Sequence, residues 1–233
     1  AMHDTVDFPT AFLGAIRAGV VPVPVNTRLA ARDYAFILSD SRAEALFVSA
    51  NLKDLVLGEA EAPRHVIVSG AEGDGSFAAF LETPGDDTGA AVTKPDDICF
   101  WLYTSGTTGM PKGAVHLHSH LMQTAELYAI QTLGLSETDI VYSAAKLFFA
   151  YGLGNALTFP FAVGATTILL EGPPDPVSVS RIIREEKPTV FFGVPTLYGM
   201  LLASKDLPEP GEHALRLCVS AGEALPGELL NRW

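Results

Sequence analysis

Apolar positions along this chain keep two rhythms that take turns. Spacing of three to four predicts helices over residues 10–18 and 31–40, while short apolar runs predict strands over 20–25, 45–48 and 65–69, followed by a short helix over 77–81. Residues 83–97 are rich in Gly, Asp, Thr and Pro and read as a linker. The alternation then resumes with strands over 98–103 and 114–117, a helix over 119–133 and a strand over 140–143. A helix over 152–161, a strand over 165–170, a helix over 176–186, a strand over 189–192, a helix over 196–203 and a strand over 215–220 complete it. Pro226, a residue at home in a first helical turn, opens one more helix.

Helices between buried strands imply an α/β fold: two mostly parallel sheets flanked by helices. The linker divides the expectation into a first α/β subdomain over 1–94 and a second over 95–233. There is no internal repeat. Both ends look cut, the last residues stopping in the first turns of the helix begun by Pro226, so the chain is expected to be a piece of a larger protein.

Residues 147–170 carry no charge, which is nominally long enough to span a bilayer. Gly152, Gly154, Asn155, Pro160 and Gly164 break the stretch into a helical half and a strand half, so two buried elements are expected and no membrane association. No secretory pattern opens the chain, since residues 1–8 have neither a basic start nor an apolar core.

With 233 residues, 48% of them hydrophobic, the chain can bury a substantial core. A formal charge of -12 repels polyanions, which argues against nucleic acid or an acidic membrane as partner and requires any anionic ligand to be held locally. Two cysteines, Cys99 and Cys218, lie far apart in apolar runs; they point to a reducing compartment, the cytoplasm, rather than to disulfides. His116, His118 and His120 alternate, but three histidines without a fourth ligand or a carboxylate make a poor metal site, and none is expected there.

The chemistry concentrates in Tyr103-Thr104-Ser105-Gly106-Thr107-Thr108-Gly109-Met110-Pro111-Lys112-Gly113. Glycines let main-chain N–H groups approach a phosphate, hydroxyls add donors and Lys112 adds charge, so the segment reads as an anion cradle between two strands. It is not the nucleotide loop G-x-x-x-x-G-K-[ST], because Met110 and Pro111 separate Lys112 from Gly109. Taken as composition alone, such a cluster is also compatible with a solvated loop. As an ordered string it resembles the signature [YF]-T-S-G-[ST]-T-G-x-P-K-G of the adenylate-forming superfamily, which includes acyl-CoA synthetases, luciferases and peptide-synthetase adenylation domains.

Two further segments extend the resemblance. Ser220-Ala221-Gly222-Glu223-Ala224-Leu225-Pro226 follows an apolar strand and so emerges at a carboxyl edge, where open α/β sheets bind ligands. It resembles the superfamily's S-[AG]-G-x-x-[LM]-x, which lines the adenine and acyl pockets. Lys146-Leu147-Phe148-Phe149-Ala150-Tyr151-Gly152-Leu153-Gly154-Asn155 resembles the benzoate and hydroxybenzoate CoA ligase branch, in which the residues matching Ala150 and Tyr151 border the aromatic acid. Phe192-Gly193-Val194-Pro195-Thr196 resembles a weaker segment near the acyl and CoA channel.

The resemblance implies part of the N-terminal domain of an acyl-CoA synthetase-like fold, and a two-step reaction. A carboxylate attacks the α-phosphate of ATP to give an acyl-adenylate, and the thiol of CoA then displaces AMP. It implies nucleotide binding by Thr104, Ser105, Gly106, Thr107, Thr108, Gly109, Lys112, Gly222 and Glu223, with Thr104 and Lys112 catalytic. It implies acid binding by Ala150, Tyr151, Gly152, Ser220 and Ala221, and Mg2+ accompanying ATP. The superfamily's Y-G-x-T-E string, its ribose-binding Asp and the small domain with its catalytic Lys have no counterpart within these residues. The expected activity is therefore ATP-dependent conversion of a benzoate-like acid to its CoA thioester, with this chain an incomplete piece of the ligase and inactive alone. Alternatives are a non-catalytic nucleotide- or acyl-binding module and a ligase for an aliphatic acid.

Overall fold

The structure is a computed structural model that describes residues 1–83, 85, 89–104 and 109–233. It resolves into two compact units, Ala1–His120 and Leu121–Trp233. The hairpin carrying the anion-cradle string thus belongs to the first unit.

In the first unit, helix α1 (Asp7–Arg17) buries Phe8 and Phe12, four residues apart on one face. Helix α2 (Ala31–Ser41) buries Tyr34 and Ile37 and ends at Arg42, whose φ of 50° marks a left-handed cap. Strand β1 (Ala45–Ser49), the short helix α3 (Lys53–Leu57) and strand β2 (His65–Ser69) follow, the two strands pairing in parallel from Ala45↔His65 to Ser49↔Ser69. Tyr34, Leu46, Val48, Leu52, Val56 and Val68 form their shared core. After α4 (Phe77–Glu82), capped by Ser76 Oγ accepting from Ala79 N, come β3 (Ile98–Thr104) and β4 (Lys112–Leu117).

The β3–β4 pair is antiparallel, the exception to the otherwise parallel pairing. Its connection of residues 105–111 is too short for a crossover, which takes a dozen residues or more, and long enough for a hairpin. The strand expected over 20–25 is absent. Pro22 and Pro24 have no N–H to give a ladder, and the segment instead runs extended, its Pro22 carbonyl accepting from Trp101 N. A cavity of about 480 Å³, lined by Phe8, Phe12, Val23, Ile37 and Leu46 among others, lies in this unit.

Helix α5 (His118–Thr124) continues as a π-helical turn over Ala125–Ile130 into the second unit. There β5 (Ile140–Ser143) leads to α6 (Ala150–Leu153), a π-helical turn (Gly154–Thr158) and α7 (Phe159–Val163), then β6 (Thr166–Ile168) and α8 (Pro176–Glu185). Strand β7 (Val190–Gly193), α9 (Pro195–Ala203), β8 (Leu217–Ser220) and α10 (Gly227–Arg232) complete it. The uncharged stretch is therefore two short helices joined by a π-helical turn, followed by a strand, and no described helix is long and apolar enough to cross a membrane. Helix α8 is well specified: Asp175 caps it by accepting from Val177 N and Ser178 N, both at 3.0 Å, and Val179, Ile182 and Ile183 form its buried stripe.

The four strands of this unit are all parallel, in the order β6-β5-β7-β8. Apolar clusters cover both faces, Tyr142 and Phe191 pointing into one with α8 and α9, Val141, Val190 and Phe192 into the other with α7. The chain leaves β5 for β6 on one side and returns to β7 on the other, so strand order reverses between β5 and β7. A crevice for ligands opens at the carboxyl ends of strands where such a reversal occurs.

Candidate active-site segments

The first segment is the end of the β3–β4 hairpin. Thr104 pairs with Lys112 and Tyr103 with Gly113, so the strands hold the cradle's first hydroxyl and its lysine side by side. Thr104 and Lys112 are both exposed. Ser105, Gly106, Thr107 and Thr108 lie outside the described residues. Gly109 has a φ of 95°, a conformation glycine adopts without a Cβ clash. At Gly113 an added Cβ would stand 3.3 Å from both Trp101 Cε3 and Tyr103 Cζ, so the glycine lets the Tyr103 ring lie over the main chain.

Tyr103 in turn donates its hydroxyl to Asp40 Oδ2 at 2.6 Å, anchoring the hairpin to α2. Burial, then the bond and charge of Asp40, push the Tyr103 pKa up, so the phenol stays a donor. Beneath the hairpin the His116 ring stacks on Phe100 at 4.5 Å and meets His120 edge-on at 5.6 Å. Burial and the neighbouring His120 lower the His116 pKa. Among the described residues no group of three His, Cys, Asp or Glu side chains could hold a metal ion.

The second segment gathers at the carboxyl edge of β5, β7 and β8. Tyr151, in the first turn of α6, donates its hydroxyl to Gly193 O at 3.2 Å and lies 3.5 Å from Val219 O, with its ring edge-on to Phe192 at 6.2 Å. Burial, then Tyr128, raise its pKa. The Gly193 carbonyl also accepts from Ala221 N at 3.4 Å, and Gly193 pairs with Ser220 in the ladder. Tyr151, Ser220 and Ala221 thus meet around one carbonyl. Ser220 Oγ is buried without a hydrogen-bond partner among the described residues, which costs free energy unless a ligand or water satisfies it.

The glycines here are places of close approach. A Cβ on Gly152 would fall 2.0 Å from Lys146 O and 2.4 Å from Ala145 O, and one on Gly193 would fall 2.8 Å from the Tyr198 ring. Tyr198 fills that gap and donates to Val219 O at 3.0 Å. Ala150 is exposed at the start of α6, Gly222 has a φ of 91°, and Glu223 is exposed beyond it.

The family described as AMP-binding enzyme matches residues 1–233. This chain belongs to the AMP-binding enzyme family. Benzoate–CoA ligase of Thauera aromatica is 53% identical to it over 233 residues, covering 99% of this chain and 44% of that protein. 4-Hydroxybenzoate–CoA/benzoate–CoA ligase of Rhodopseudomonas palustris is 45% identical over 238 residues, covering 100% of this chain and 44% of that protein. A crystal structure of a benzoate CoA ligase from Burkholderia xenovorans LB400 matches with a TM-score of 0.91 at 48% identity, over 99% of this chain and 46% of that one. The chain therefore spans somewhat less than half the length of the curated relatives it matches.

As an AMP-binding enzyme family member, the chain carries its two predicted segments in separate units, Thr104, Gly109 and Lys112 in the first, and Ala150, Tyr151, Gly152, Ser220, Ala221, Gly222 and Glu223 in the second. Tyr198 and Asp40 lie outside every predicted site segment, and Gly193 was expected only as part of the weaker Phe192–Thr196 string. Gly193 sits in the Phe192–Thr196 string, where the signal was a glycine closing an otherwise apolar strand. Asp40 left no local signal, because its partner is 63 positions away.

Proposed function

We propose that this chain is part of an AMP-forming ligase that converts a benzoate-like acid to its CoA thioester. The observation that carries the reading is the cluster at the carboxyl edge of the second unit. There the half-buried Tyr151 ring, backed edge-on by the fully buried Phe192, stands beside the partnerless Ser220 hydroxyl. A flat ring ending in a carboxylate suits such a lining.

In this reading ATP arrives as its magnesium complex, a substrate rather than a resident cofactor. Thr104, Ser105, Thr107 and Thr108 donate hydroxyl hydrogens to phosphoryl oxygens, Gly106 and Gly109 let main-chain N–H groups approach them, and Lys112 contributes its charge. Gly222 and Glu223 border the nucleoside, and Ala150, Tyr151, Gly152, Ser220 and Ala221 border the acid. One carboxylate oxygen bonds to the α-phosphorus as the bond to pyrophosphate breaks. The CoA sulfur, after losing its proton, then bonds to the acyl carbon and AMP departs with the electron pair of the broken bond. Donors aimed at the phosphoryl oxygens count most where charge grows, and losing one costs about 10²–10³ in rate. Free thiols at Cys99 and Cys218 support a cytoplasmic setting, where ATP and CoA are available.

The test is pyrophosphate exchange and AMP release by the full-length protein with benzoate, hydroxybenzoates, aminobenzoates and fatty acids. The reading expects exchange with the aromatic acids, CoA-dependent AMP release, and no turnover by these 233 residues alone. Exchange confined to fatty acids, or none with any acid, overturns it.

A further inference from the structure

Strands β5 and β6 are neighbours, and the segments leaving their carboxyl ends are joined by one side chain. Lys146, three residues past β5, sends its ammonium to three consecutive main-chain carbonyls just past β6: Leu170 O, Glu171 O at 3.5 Å and Gly172 O at 2.6 Å. An ammonium is a multiple N–H donor, and this loop offers it three main-chain acceptors in a row. The next two residues, Pro173 and Pro174, have no N–H of their own with which to build a turn.

The main chain of Lys146 is engaged on its other side. Its carbonyl accepts from Phe149 N at 3.0 Å and lies so close to Gly152 that a methyl group there would overlap it. The same residue therefore grips the loop after β6 with its side chain and seats the first turn of α6, with Ala150 and Tyr151, through its backbone. Each contact alone is ordinary; their coincidence in one residue makes a mechanical link between two loops of the carboxyl edge.

We propose that Lys146 is a positioning residue for the acid. By clipping residues 170–172 to the turn at 150–152, it sets where Tyr151 stands and so fixes the wall against which the ring packs. This rests on the aryl-ligase reading above. Lys146 acts through the main chain and Tyr151, so its loss is expected to be felt by the acid and not by the nucleotide. Small displacements of positioning groups can be expensive, a shift of about 1 Å costing up to about 10² in rate.

The test uses the full-length protein and the variants Lys146→Met and Lys146→Arg, with thermal melts to show that both fold. Lys146→Met is expected to raise KM for the aromatic acid by about tenfold while leaving KM for ATP within about twofold, and Lys146→Arg, which restores donors to the carbonyls, to recover most of the loss. Hydrogen exchange in residues 147–152 and 168–174 is read in parallel and is expected to quicken in both segments of Lys146→Met. Unchanged exchange removes the clip, whatever the activity. Faster exchange with equal effects on acid and ATP, or no recovery by Lys146→Arg, leaves a structural contact and overturns the positioning role. A wild-type enzyme inactive on every aromatic acid instead removes the reading on which the role depends, and the positioning role falls with it.

Discussion

Tyr103 and Asp40, 63 positions apart, are joined by a hydrogen bond of 2.6 Å that ties the last turn of α2 to the first strand of the β3–β4 hairpin. The bond restrains the base of the hairpin. Tyr103→Phe is expected to destabilise the fold by no more than about 1 kcal/mol, since the contact is exposed, and to raise KM for ATP several-fold in the full-length enzyme with KM for the acid unchanged. The folded-state pKa of Tyr103 is raised, so its contribution to stability is fully present below the unfolded value near 10 and is lost as pH rises through the folded one. Urea melts at pH 8 and pH 11 check this, the variant losing less than the wild type on the alkaline side.

Asp139 makes the complementary prediction in acid. It is nearly buried and takes a two-pronged bond from Arg216, Nε to Oδ1 at 2.7 Å and Nη2 to Oδ2 at 2.6 Å, with further bonds from Thr189 Oγ1 and Ser136 N. Arg216 first, and then Thr189 and Ser136, hold its carboxyl well below the usual range against the opposing effect of burial. The stability it supplies is therefore complete above the unfolded value of about 4 and disappears as pH falls through the folded one. Asp139→Asn is expected to cost about 2–3 kcal/mol at pH 7 and to flatten the loss of stability below pH 4, measured by chemical melts at both pH values.

How far the chain could be read from its residues depended on how local each cause was. Strands β5, β7 and β8 and helix α8 stood out because their apolar runs, the cap at Asp175 and the opening Pro176 act within a few residues. The run over 20–25 looked equally strand-like, yet Pro22 and Pro24 decide against a ladder there. The π-helical turn at Gly154–Thr158 has no signature in apolar spacing, because it differs from an α-helix by one residue in its bonding. The candidate segments were legible as strings of residue types. The Gly193 carbonyl that gathers Tyr151 and Ala221 was not, since a main-chain oxygen looks the same in every residue.

Two glycines in helices should respond oppositely to alanine. Gly14, inside α1, has nothing within 4 Å of an added Cβ, so Gly14→Ala is expected to stabilise by about 0.5–1 kcal/mol through lower chain entropy. Gly152 would drive its methyl to 2.0 Å from Lys146 O, a main-chain atom that cannot step aside without moving the turn. Gly152→Ala is expected to destabilise by about 1–3 kcal/mol and to abolish most acid-dependent exchange. Thermal melts of the two variants, compared with the wild type, must shift in opposite directions.

Tyr151 gives the most direct test of the proposed acid pocket. Its ring is set edge-on to Phe192 while its hydroxyl is spent on Gly193 O, so ring and hydroxyl have different work and can be removed separately. Tyr151→Phe keeps the ring and leaves the Gly193 carbonyl with the Ala221 N–H as acceptor's partner, so aromatic-acid KM is expected to rise only a few-fold. Tyr151→Ala deletes the ring and opens a cavity beside Phe192, which weakens packing against any flat substrate and admits bulkier acids. Its selectivity between benzoate and larger acids is expected to shift by about tenfold or more, with KM for ATP within about twofold. Competition assays measuring AMP release from paired acids read this ratio without depending on absolute rates. A change in ATP affinity larger than the change in acid selectivity removes Tyr151 from the acid pocket.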